Sequence, residues 1–167
     1  DSVVVPVAEK YNLVVILDNH HGYELTEATY LSDIPRLCGM WMALAKKYKH
    51  LPPERYFFEL RNEPTYEIEN GHLHQVQQQI IDSIRVVDQD RTLIVGANWW
   101  NAGGSLAESE QYADPSENII YTFHNYDPFP FTHQGFSWSG LPTGPMFSAT
   151  DPEAEPIREV VRRVKQW

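Results

Sequence analysis

The sequence has little cysteine. Cys38 is the only one in 167 residues, so no disulfide closes within the chain and no Cys pair is available for a redox or metal motif. It is also short of positive charge, with 13 Lys plus Arg against 23 Asp plus Glu and a formal charge of -10. That balance argues against nucleic acid and acidic membrane surfaces, which require a basic face. No apolar run reaches the ~18 residues of a membrane span. The first residues do not read as a signal peptide, and no Asn-x-Ser/Thr acceptor occurs. What is present is 42% apolar and 13% aromatic residues with 22% charged, the composition of a packed globule. The length suits a single domain, since domains run to about 100–200 residues.

The patterns along the chain repeat. Asp1 is placed to cap a helix with Val4, Val5 and Ala8 on its apolar side, with Pro6 tolerated in the first turn. Leu13 to Leu17 is an unbroken apolar run ending at Asp18. Lacking alternation, it predicts a strand buried on both faces. Ile34, Leu37, Met40, Trp41, Leu44 and Tyr48 recur at helical spacing, with Ser32 expected as cap and Lys46, Lys47 and Lys49 near the far end. Tyr56 to Leu60 is a second strand, followed by a helix from about Gly71 to Val87. Thr92 to Ala97 is a third, with a short helix expected within Leu106 to Tyr112. Ile119 to Phe123 is a fourth, leading into a Pro, Gly and aromatic-rich loop from Asp127 to about Thr150. Asp151-Pro152-Glu153 then open a last helix carrying Ile157, Val160, Val161 and Val164 on one side. Four strand–helix units in series predict an α/β fold with a parallel sheet and right-handed crossovers, as one domain over residues 1–167.

Polar and aromatic residues gather where these strands end. The four ends read Asp18-Asn19-His20-His21-Gly22, Arg61-Asn62-Glu63-Pro64, Asn98-Trp99-Trp100-Asn101 and His124-Asn125-Tyr126-Asp127. The C-terminal ends of parallel strands are where α/β folds build ligand sites. The opposite ends, such as Val87-Asp88-Gln89-Asp90-Arg91, carry no such mixture. Four clusters in register point to one active face.

Leu17-Asp18-Asn19-His20-His21, Phe58-Glu59-Leu60-Arg61-Asn62-Glu63-Pro64 and Thr122-Phe123-His124-Asn125-Tyr126 resemble the middle of a glycoside hydrolase family 5 cellulase. Asn-Glu-Pro is the most diagnostic element. The resemblance implies half of a TIM (β/α)8 barrel, its four strands corresponding to the third to sixth of eight, in a secreted endo-β-1,4-glucanase. It implies Glu63 as general acid/base, with Asn62 bonding the sugar 2-hydroxyl. His20, His124 and Tyr126 would line the cleft, supported by His21. Trp99 or Trp100 would give a platform to a pyranose face. No cofactor is expected. The family's nucleophile, a glutamate ending the seventh strand, lies beyond what resembles the sixth helix, where this chain stops. The family's second-strand arginine is missing too. Retaining hydrolysis needs a carboxylate pair about 5–5.5 Å apart, so stand-ins for the second member are Asp127, Asp18, Glu24 or Glu63 of another copy.

Plainer readings compete at several of these positions. The His20-His21 pair resembles a metal site only superficially, because adjacent residues on a strand point to opposite faces. Trp99, Trp100, Phe136 and Trp138 either line a sugar surface or fill core. Met40, Trp41 and Leu44 form a core stripe, Cys38 is a small core residue, and His72 and His74 are expected in solvent. Half a barrel leaves two strand edges unpaired. That predicts edge-to-edge pairing of two copies as a homodimer completing eight strands. Expected ligands are β-glucan or cello-oligosaccharide. The competing function is that of a glucan-binding or folding fragment which needs a complementary half.

Overall fold

A computed structural model describes residues 2–20, 25–144, 146–148 and 150–167. The expected cap at Asp1 lies outside them. Helix α1 (Val4–Tyr11) ends at Asn12, whose left-handed backbone (φ 53) turns its N–H back toward Ala8 and Glu9. Then follow β1 (Val15–Asp18), α2 (Tyr30–Tyr48), β2 (Tyr56–Glu59), α3 (Asn70–Arg85) and β3 (Leu93–Val95). Two single turns, α4 (Asn98–Asn101) and α5 (Gly103–Leu106), precede β4 (Ile119–Tyr121). The turn α6 (Phe129–Thr132) interrupts the long loop, and α7 (Glu155–Gln166) closes the chain. The sheet is parallel in the order β1-β2-β3-β4, as a partial barrel requires. Among the described residues no helix is long and apolar enough to cross a membrane.

The helices cover one side of the sheet. Phe58, Leu93 and Val95 pack against Leu37 and Trp41 of α2 and Ile81 of α3, all buried. Met40, Leu44 and Cys38 lie at the rim of that core. The other side is open toward its edges, where Ile16 is 50% and Ile120 43% exposed, while Ile94 on the same face is buried. The first apolar run is therefore not buried on both faces, because its strand lies at the edge of a sheet layered by helices on one side only.

Local starts and stops differ from expectation for identifiable reasons. Helix α2 begins two residues before Ser32, because the Thr26 carbonyl accepts the N–H groups of Thr29 and Tyr30. Ser32 does not cap; its hydroxyl donates to the Thr29 carbonyl at 2.8 Å. The helix expected within Leu106 to Tyr112 is absent, and only the turn α5 forms, just before it. There Gly103 lets α7 come close, since a Cβ at that position would sit 2.3 Å from Val160. The two histidines of α3 are not simply solvated. His72 Nδ1 pairs with Glu27 at 2.7 Å and its ring stacks on Tyr30, while His74 stacks on Tyr112.

Two arginines bind the lower ends of the units. Arg91, 0% exposed, pairs through Nε with Asp88 at 2.9 Å. Its Nη1 donates to the Tyr56 carbonyl at 2.7 Å, and its Nη2 to those of Tyr48 and Leu51 at 3.0 and 2.9 Å. Arg85 grips Asp114 with two bonds of 2.8 and 2.7 Å. Burial alone would raise the Asp114 carboxyl, but the Arg85 and Ser116 bonds outweigh it and hold the group below its ordinary value.

Replacing Arg91 with Met strands Asp88 and several carbonyls without donors. It is expected to cost about 3–5 kcal/mol, read as a lower urea midpoint with an unchanged slope. The Asp114 contribution is complete above the unfolded carboxyl value of about 3.9 and fades as pH falls through the lower folded value. Urea melts between neutral pH and pH 3 are expected to show this loss, and Asp114→Asn to remove that part of the pH dependence.

Candidate active site

Above the C-terminal edge of the sheet, the loops are stitched together by backbone bonds. Asn62 N–H donates to the Asn19 carbonyl at 3.3 Å, Trp100 to Pro64 at 2.8 Å, and His124 to Asn101 at 2.8 Å. Ala102 and His124 form one further parallel bridge. These bonds hold backbone that is otherwise unfavourable. Glu63 has φ 42, and Trp99, Trp100 and Asn101 have φ 53, 59 and 58. Non-glycine residues in the left-handed region cost about 1–2 kcal/mol each, and such strain gathers at functional sites. Gly96 is fixed by the same turn, because a Cβ there would lie 2.3 Å from the Asn101 amide.

Two of the expected site residues converge on a third. His124 Nδ1 lies 2.6 Å from Glu63 Oε1, and the Tyr126 hydroxyl donates to the same oxygen at 3.2 Å. Oε2 takes no hydrogen bond among the described residues. The Tyr126 phenol is pushed above its ordinary value, first by the Glu63 charge and then by burial, so it remains the donor of this bond. On the neighbouring units, His20 Nδ1 pairs with Asp18 Oδ2 at 2.6 Å, and Asn62 Nδ2 meets His20 Nε2 at 3.5 Å. His21 and Glu24 lie outside the described residues.

Glu63, His124, Tyr126 and Asp127 line an open cavity of about 890 Å³ whose walls are aromatic. Trp99 and Trp100 both face it rather than the core, 53% and 43% exposed. Phe136 and Trp138 line the far wall with their rings 5.9 Å apart. Sequence reasoning missed three participants. Tyr66 lies 5.5 Å from Trp99 and 5.6 Å from Trp100, making an exposed aromatic trio. The signal for it was its place three residues after Glu63 in the same loop. Phe129 and His133 stack at 3.9 Å, which their spacing of four across α6 brings about. Asn98 and Asn101, by contrast, are buried and belong to the scaffold. Asn98 Nδ2 donates to the Ile68 carbonyl at 2.8 Å, and its N–H to Asn70 Oδ1 at 3.0 Å.

A groove with stacking walls and a carboxyl between two hydrogen-bond donors suits a neutral, polyhydroxylated ligand with apolar faces. Known proteins resemble this chain in sequence and in fold. The sequence model described as cellulase (glycosyl hydrolase family 5) matches residues 2–167. Endoglucanase 3 of Fibrobacter succinogenes is 36% identical over 142 residues, covering 80% of this chain and 21% of that protein. Endoglucanase H of Acetivibrio thermocellus is 30% identical over 154 residues, covering 92% of this chain and 16% of that one. The crystal structure of a hyperthermophilic endo-β-1,4-glucanase in complex with substrate superposes with a TM-score of 0.83 at 32% identity. That match takes in 99% of this chain and 53% of the other, so the chain spans about half of that structure.

Because the Glu63 charge is the main cause of the Tyr126 shift, Glu63→Gln is expected to lower the phenol titration toward its ordinary value. The Tyr Cζ resonance followed by NMR against pH reads this directly. An unchanged midpoint would mean that the two groups do not meet in solution.

Proposed function

The chain belongs to the cellulase family of glycosyl hydrolases, family 5, and we propose that it carries the acid/base end of a cleft that hydrolyses β-1,4-glucan. Glu63 is the general acid/base. The observation that carries the reading is the asymmetry of its carboxyl in a residue that lines the groove, with Oε1 held by His124 and Tyr126 and Oε2 taking no hydrogen bond among the described residues. In the first step the Oε2 proton passes to the departing glycosidic oxygen as the bond from the anomeric carbon to that oxygen breaks. Retention of configuration requires a second carboxylate to capture the oxocarbenium-like centre, a role that in the family falls to a glutamate of the seventh strand, outside residues 1–167. Glu63 would then take a proton from the water that releases the sugar. Asn62 holds the 2-hydroxyl of the reacting sugar. Trp99, Trp100 and Tyr66 on one side, and Phe136 and Trp138 on the other, stack on pyranose faces along the chain. The four βα units are strands three to six of the eight-stranded barrel. A polysaccharide too large to enter a cell puts the site of action outside it.

One observation favours a second reading. The barrel-facing side of the sheet, with Ile16 and Ile120, is half exposed, so residues 2–167 bind glucan and await either the other four units or a second copy for turnover.

Reducing-sugar release from carboxymethylcellulose is expected to fall about 10²–10⁴-fold in Glu63→Gln, the range for loss of a general acid. Release by this chain that persists in the variant would overturn the assignment. Quenching of Trp fluorescence by cello-oligosaccharide, weakened about tenfold in Trp99→Ala, without any sugar release would favour the second reading.

A further inference from the structure

Glu59 and Asp18 are polar groups that the proposed reaction does not use. They pair directly across β2 and β1, on the open face of the sheet, opposite Phe58 and Leu17, which meet the helices. Residues paired this way on neighbouring strands lie about 4.8 Å apart. Asp18 Oδ2 is taken by His20, but Asp18 Oδ1 is buried and has no donor among the described residues. A buried carboxylate oxygen without a donor is unfavourable, since it has lost its water and gained nothing in exchange. The side chain of Glu59, its neighbour, has no hydrogen bond among the described residues, and an ionised carboxylate offers no donor.

We propose that Glu59 is a positioning residue, a carboxylic acid whose O–H donates to Asp18 Oδ1 and so starts a relay through His20 that sets the Asn62 amide beside Glu63. The relay has a direction at every joint. Asp18, filled at Oδ1 by Glu59, accepts Nδ1–H of His20 at Oδ2. His20 is thereby fixed with its lone pair on Nε2, which accepts from Asn62 Nδ2. The amide end that faces His20 is then the nitrogen, which settles how Asn62 presents itself to the cleft. The Glu59 carboxyl is raised above its ordinary value, chiefly by burial and then by the Asp18 charge, while His124 and His20 act against the shift. This deepens the proposed function, since it rests on Asn62 and Glu63 forming the reacting end of the cleft.

The test is NMR on the isotopically labelled 167-residue chain, with no turnover involved. In the wild-type protein the Glu59 side-chain carbonyl resonance is expected to titrate above the usual glutamate value, and the His20 ring nitrogens to report hydrogen on Nδ1. Glu59→Gln keeps a donor and is expected to keep that tautomer. Glu59→Leu has none and is expected to give mixed His20 tautomers and a shifted Asn62 amide. A Glu59 carbonyl titrating in the ordinary range overturns the proposal, as does an unchanged His20 tautomer in Glu59→Leu, the outcome if water supplies Asp18 Oδ1. The wild-type titration decides even if Glu59→Leu does not fold. Failure of Glu63→Gln to reduce hydrolysis would overturn the acid/base assignment and leave these readouts untouched.

Discussion

The half barrel depends on a buried cation. Removing a guanidinium from water costs several kcal/mol, and Arg91 is wholly buried. It is tolerable because Asp88 neutralises it and carbonyls from Tyr48, Leu51 and Tyr56 take its remaining donors. Those carbonyls belong to the end of α2, the loop after it and the start of β2. One side chain thus sets where a helix stops, where a strand begins and how β3 enters the sheet. An apolar residue of the same size would fill the space without fixing any of these.

With the lower end fixed, the upper end is free to carry strain. Glu63 and the Trp99–Asn101 turn adopt backbone that costs free energy. Bonds between loops of different units, together with the Ala102 N–H that closes the turn onto Asn98 and Trp99, hold them there. Each loop is therefore shaped by its neighbour, and the site exists only as a set. His124 shows this best, since its backbone N–H is tied to Asn101 and its ring to Glu63.

Much of this was legible in the sequence, because apolar runs and helical spacing are dictated by burial. All four strands, the three long helices behind them and the clustering of Glu63, His124 and Tyr126 at one edge follow from such patterns. Three kinds of feature did not. Burial of the first strand depends on what covers it, which a local pattern does not encode. The start of α2 turns on Thr26 and Thr29, whose backbone bonds compete with a plausible cap at Ser32. The arginine network involves Val87-Asp88-Gln89-Asp90-Arg91, a stretch that reads as an ordinary polar loop until it is seen to be buried. Trp99 and Trp100 were ambiguous for a related reason: apolar residues after a strand normally continue inward, and only the left-handed turn sends both rings outward.

That turn also constrains how the protein can change. Glycine at position 99 or 100 would relax the backbone and, by itself, favour folding. It would also delete a wall of the groove. Stability and ligand binding therefore pull in opposite directions at these two positions, and selection for robustness alone would erode the groove first where the backbone is most strained.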